Sequence, residues 1–151
     1  MAAGKSCTIT VAFVAGPYYT AQTATLTVMD NALGTPQTVM LTALVINPQA
    51  SLSATSLSFG TQTVNLSATK TVTLKNTGTT ALTPISLAVT GTNASDFTPS
   101  SNCGSSLAAG SSCTISVAFK PAAKGSRSAT LKVTDNAASG TQTVSLSGTG
   151  K

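Results

Sequence analysis

Few residues in this chain are equipped for chemistry. Its 151 residues contain no histidine, three acids and eight basic side chains. The acids are Asp30, Asp96 and Asp135, and glutamate is missing. Without histidine, neither a Ser-His-Asp nor a Cys-His arrangement can be assembled within the chain. A glycosidase-type carboxylate pair would need two of the three aspartates to meet. Asp30 and Asp135, however, each open the same Asp-Asn-Ala sequence, where an aspartate serves a turn by accepting nearby backbone N–H bonds. One carboxylate per turn is sparse for calcium, and zinc would lack its usual Cys/His set. No metal and no cofactor is therefore expected. A lysine, serine or cysteine nucleophile remains formally open, with no motif around it. Weak, promiscuous hydrolysis in a cleft formed by dimerisation is accordingly the last of three functional readings.

Three other groups could engage a partner. Tyr18 and Tyr19, the two tyrosines of the chain, stand side by side in a Gly-Pro-Tyr-Tyr segment. Such a pair can stack on a sugar or anchor a protein, or it can simply cover an open sheet edge. Lys120, Lys124, Arg127 and Lys132 gather four of the positive charges between positions 120 and 132. Nucleic-acid binders add stacking aromatics or a recognisable motif to such a cluster. Neither is present, so no nucleic acid is expected, and Lys120, Lys124 and Arg127 are kept as candidates for a protein or glycan contact. Cys103 and Cys113 bracket a Gly/Ser-rich step, CGSSLAAGSSC. In an oxidising compartment they form a disulfide worth roughly 3 kcal/mol; in a reducing one they are two half-buried thiols. Cys7 has no such neighbour and is expected to be an unpaired thiol, either buried or linking two chains.

The elements that must position these groups follow from an internal repeat. GKSCTITVAF at 4–13 returns as GSSCTISVAF at 110–119, and ATLTVMDNALGTPQTVML at 24–41 returns as ATLKVTDNAASGTQTVSL at 129–146. One unit is about 100 residues, the size of an immunoglobulin-type sandwich, so the chain holds a half copy and then a whole copy. Period-two alternation over Cys113–Phe119, Ala129–Val133, Thr69–Leu74 and Thr143–Leu146 marks strands. Leu57–Gly60 reads as a short opening strand and Leu82–Val89 as another, with Pro84 marking an edge or bulge. In the half copy, strands are predicted over 7–14, 22–29 and 37–46. Their apolar residues Val11, Phe13, Leu26, Val28, Val39 and Leu41 would form an uncovered face, an association or aggregation surface. Either the same half of a second copy covers it or it lies on the whole copy; symmetric pairing is the simpler solution, so a homodimer through residues 1–48 is expected. No segment reaches the ~18 apolar residues of a membrane span, and MAAGKSC lacks the apolar core of a signal peptide. The chain enters the repeat in mid-unit, so Met1 reads as a fragment edge or an internal start.

The whole copy resembles the ASH (abnormal spindle, hydin) type of immunoglobulin-like domain, above all the bacterial form found in tandem in secreted "choice-of-anchor D" proteins. The residues carrying the resemblance are Leu57-Ser-Phe-Gly60, Lys75-Asn-Thr-Gly78, Asp96-Phe97, Cys103-Gly104, Gly110-Ser-Ser-Cys-Thr-Ile115, Phe119-Lys-Pro121, Asp135-Asn-Ala137 and Ser145-Leu-Ser-Gly-Thr-Gly150. It covers residues 49–150 in full and 4–48 as the trailing half of a preceding unit. The resemblance implies an all-β, immunoglobulin-like antiparallel β-sandwich: one complete seven-stranded unit at 49–151 preceded by a three-stranded half-unit at 1–48. It implies a spacer or protein-binding role in an extracellular or surface-attached parent, and carries no catalytic site. A carbohydrate-binding module using Tyr18 and Tyr19 is the second reading.

Overall fold

The computed structural model describes residues 4–14, 21–31, 33–34, 36–43 and 47–151. The chain divides into two compact units, Met1–Ile46 and Asn47–Lys151; the expected boundary lay two residues later. In the first unit, β1 (Gln22–Val28) and β2 (Gln37–Ala43) form an antiparallel hairpin. Its ladder sets Val28 opposite Gln37, Leu26 opposite Val39 and Ala24 opposite Leu41.

The second unit is an all-β, immunoglobulin-like sandwich of two four-stranded sheets. Its strands are β3 (Ala50–Leu52), β4 (Ser56–Gln62), β5 (Ala68–Asn76), β6 (Ser86–Thr90), β7 (Phe97–Ser101), β8 (Ser112–Phe119), β9 (Gly125–Thr134) and β10 (Gln142–Gly150). One sheet runs β4-β10-β9-β6, the other β3-β5-β8-β7. Neighbours are antiparallel except β10 and β4, which run parallel. Eight strands stand where seven were expected. The additions to the strands read from sequence are β3, only three residues long, and β7, whose Phe-Thr-Pro-Ser-Ser sequence does not alternate. Pro99 is tolerated in β7 because that strand lies at the sheet edge, where a missing N–H breaks no inner ladder. The strand predicted from Leu82 begins only at Ser86. Pro84 has no N–H to donate, and Leu82 instead makes an isolated bridge to Leu107.

Alternation builds the core. Cys113, Ile115, Val117 and Phe119 of β8 point inward, facing Leu131, Val133, Val144 and Leu146 from the opposite sheet. Burying side chains of this size contributes about 2 kcal/mol each. Phe59, Phe97 and Phe119 form an aromatic cluster with centroids 4.8–5.7 Å apart. Phe119 can lie against β10 because residue 148 is glycine: a Cβ there would fall 2.4 Å from the ring.

The Lys-Asn-Thr-Gly stretch closes the end of β5. Asn76 is fully buried, and its Nδ2 donates to Thr80 O at 2.7 Å and Leu107 O at 2.9 Å. Its Oδ1 accepts from Gly78 N at 2.9 Å. A Cβ on Gly78 would meet Asn47 O at 2.0 Å, so the loop closes only on glycine. Cys103 and Cys113 are disulfide-bonded. The β7–β8 register pairs Ser101 with Ile115, and continuing it by two places sets the cysteines directly opposite one another.

The two copies can now be compared. The β1–β2 register is that of β9–β10 shifted by 105 residues: Leu26/Val39 matches Leu131/Val144, and Ala24/Leu41 matches Ala129/Leu146. The strand predicted over 7–14 does not form: residues 5–14 join no ladder. Their counterpart β8 is held between β5 and β7, and residues 1–46 contain no copy of either. Alternation specifies which side chains share a face, but a ladder needs a neighbour.

Candidate functional site

The first unit presents apolar surface that its own fold leaves open. Ile9, Val11 and Phe13 are 54%, 51% and 53% exposed, whereas their repeat counterparts Ile115, Val117 and Phe119 are each 0% exposed. Val39 is likewise exposed while Val144 is buried, and Leu26, Val28 and Leu41 are half-buried. Together these segments enclose an open concavity of about 660 Å³, lined by Val11, Phe13, Val14, Met40, Leu41 and Ala43 among others. Its described lining carries no acid, base or thiol. Such a surface suits the burial of apolar groups.

Three substitutions between the copies sharpen this contrast. Met29 replaces Thr134 and Met40 replaces Ser145, placing two exposed methionines where the whole copy has polar surface. Methionine adapts its shape and is favoured at recognition surfaces. Ala43 replaces Gly148, so the flat approach that Phe119 makes to β10 is closed to Phe13. Aligning the copies position by position exposes these changes; reading either copy alone does not.

The other candidates are scattered. Tyr18 and Tyr19 lie outside the described residues, as do any contacts they make. Lys120 and Lys124 are exposed in the loop following β8. Arg127 is committed inward: its Nε donates to Asp96 Oδ2 at 2.5 Å, and the aspartate side chain is 1% exposed. The pair ties the short 3₁₀ turn Ala94–Asp96 to β9, which gives Arg127 a structural partner inside the sandwich. Sequence reading picked out Asp96 without its partner. Asp135 Oδ1 accepts from Ala137 N at 2.8 Å, a local turn bond, and Asn136 Oδ1 accepts from Thr83 N at 2.9 Å. Among the described residues no three acids or cysteines gather as a metal site would require. Cys7 is a free, exposed thiol.

The sandwich carries a family signature beyond its topology. The family model for Cep192 domain 4 matches residues 47–151. The chain belongs to the Cep192 domain 4 family. In this family setting its second unit is an ASH-type domain, and solved structures agree in fold. The ASH/PapD-like domain of human CEP192 (PapD-like domain 7) is similar with a TM-score of 0.55 at 20% identity, covering 68% of this chain and 85% of that one. A protein of unknown function from Porphyromonas gingivalis W83 is similar with a TM-score of 0.58 at 14% identity, over 92% of this chain and 70% of that one. That share is larger than the Cep192 domain 4 unit alone can supply. The Vibrio cholerae VesB protease is similar with a TM-score of 0.50 at 21% identity, over 68% of this chain but only 32% of the protease chain. Identities this low speak for the fold alone. No curated protein matches the chain.

Proposed function

We propose that this chain is a non-catalytic interaction module, with the uncovered face of its first unit as the contact surface and the ASH-type sandwich as a rigid spacer. The observation carrying this reading is that Ile9, Val11 and Phe13 stand half exposed while their counterparts in the second unit are sealed in a core. Apolar surface of this extent drives association in water. The module belongs to a longer repeat protein exported to an oxidising compartment, a placement supported by the Cys103–Cys113 disulfide. In isolation, two copies of the chain pair through their first units.

Light scattering with and without reductant tests this, alongside an environment-sensitive apolar dye. The wild type is expected to run as a dimer that survives reductant. The Val11→Asp, Phe13→Asp variant is expected to run as a monomer with an unchanged circular-dichroism spectrum. A wild-type monomer that binds no dye and is indifferent to both substitutions would remove the reading.

A further inference from the structure

The second unit divides its charges between its two ends. At one end the turn after β4, the turn after β8 and Lys151 are bonded together: Asn65 N donates to Pro121 O at 2.9 Å, and Val64 N donates to Lys151 O at 3.1 Å. Lys120 and Lys124 are exposed on this end, and Lys70, also exposed, follows two places into β5. Asp96 lies at the same end, where its side chain is enclosed and held by Arg127. The unit's other acid, Asp135, follows the far end of β9. Among the described residues of the second unit, no exposed carboxylate therefore opposes these lysines. Nor does the repeat require a charge here: the residue after Phe119 is Lys120, whereas the residue after Phe13 is Val14.

The same end shows apolar surface. Among the described residues, the large hydrophobic side chains left exposed belong to the first unit, except Leu66, which is 57% exposed. Its turn is fixed. Leu66 N donates to Thr63 O at 3.0 Å, and Asn65 takes a left-handed φ of 66°, which asparagine tolerates. Ala122 and Ala123 are exposed on the neighbouring turn.

A single exposed leucine needs no explanation by itself. Held on a rigid turn among lysines, it supplies one of two signals for peripheral membrane attachment: apolar contact and attraction to anionic headgroups. A soluble polyanion would use the lysines and leave the leucine in water. We propose that this end of the second unit docks on an anionic lipid bilayer, with Leu66 entering the headgroup region and Lys70, Lys120 and Lys124 facing the lipid phosphates. The attachment is peripheral and does not depend on the face of the first unit.

The test is co-sedimentation of the full chain with vesicles of phosphatidylglycerol and phosphatidylcholine. Vesicles of phosphatidylcholine alone subtract any adsorption through the first unit. The wild type is expected to bind the anionic vesicles, and to bind less as salt screens the lysines. The Lys120→Gln, Lys124→Gln variant should weaken binding about fivefold for each charge removed. Lys75→Gln, Lys132→Gln removes as much charge away from this end, at positions opposite Ser112 and Thr143, and should bind as the wild type does. Depth is read separately. In a Cys7→Ser chain, an environment-sensitive fluorophore on Leu66→Cys should shift to the blue on anionic vesicles. The same label on Ala138→Cys, in the β9–β10 hairpin, should not.

Failure to bind anionic vesicles overturns the proposal. Equal loss from both lysine pairs also overturns it, because net charge and not this end would then govern binding. An unshifted label at position 66 does the same. Binding to heparin without binding to vesicles would make the partner a soluble polyanion and overturn the bilayer.

Discussion

Asn76 satisfies three backbone groups from one fully buried side chain, so its removal strands one donor and two acceptors, the Leu107 carbonyl in a buried setting. Asn76→Ala is expected to destabilise the sandwich by about 3 kcal/mol, measured by urea denaturation. Asn76→Asp should do comparable harm, because a carboxylate cannot donate to the Thr80 and Leu107 carbonyls. Arg127 poses a different question, since its partner Asp96 is almost completely enclosed. Arg127→Met leaves that carboxylate buried and unpaired, at an expected cost of about 3 kcal/mol. The double variant Asp96→Leu, Arg127→Met should recover much of the loss. A double-mutant cycle in which the two effects simply add would show that the pair is not coupled. The asparagine was legible in the sequence as part of a turn motif; its three-way bonding was not, because Thr80 and Leu107 are recruited by the fold rather than by spacing.

Strands with a clean two-residue period were legible: β5, β8, β9 and β10 fall where alternation placed them. β7 was not, because an edge strand needs only one face and one ladder and can afford Thr-Pro-Ser-Ser. Residues 7–14 were misread for the converse reason. Their pattern is as regular as that of β8, but pattern alone supplies no partner. The uncovered face itself was legible, since the repeat announces a half copy, whereas its methionines and Ala43 emerged only from comparing the copies. Placing the same charge at equivalent sites separates the two environments. Leu131→Asp puts an unpaired carboxylate into a fully buried position and should prevent the second unit from folding. Leu26→Asp, at the matching place in β1, should leave that unit's thermal midpoint unchanged and alter association alone. A drop in midpoint from Leu26→Asp would mean that β1 contributes to the second unit's stability.

The core of the second unit is drawn wholly from residues 50–146, inside the unit that begins at Asn47. Residues 47–151 expressed alone should therefore fold, with a thermal midpoint within about 2 °C of the full chain and a single cooperative transition. A fragment that melts much earlier would overturn this assignment of the core. Two fates of one duplicated sequence are thus joined in a single polypeptide. Phe119 packs within the sandwich core because Gly148 lets its ring lie against the backbone, while Phe13 stands half exposed in the concavity that Ala43 also lines. The same phenylalanine is therefore architecture where strands flank it on both sides and a handle for another molecule where residues 5–14 join no ladder.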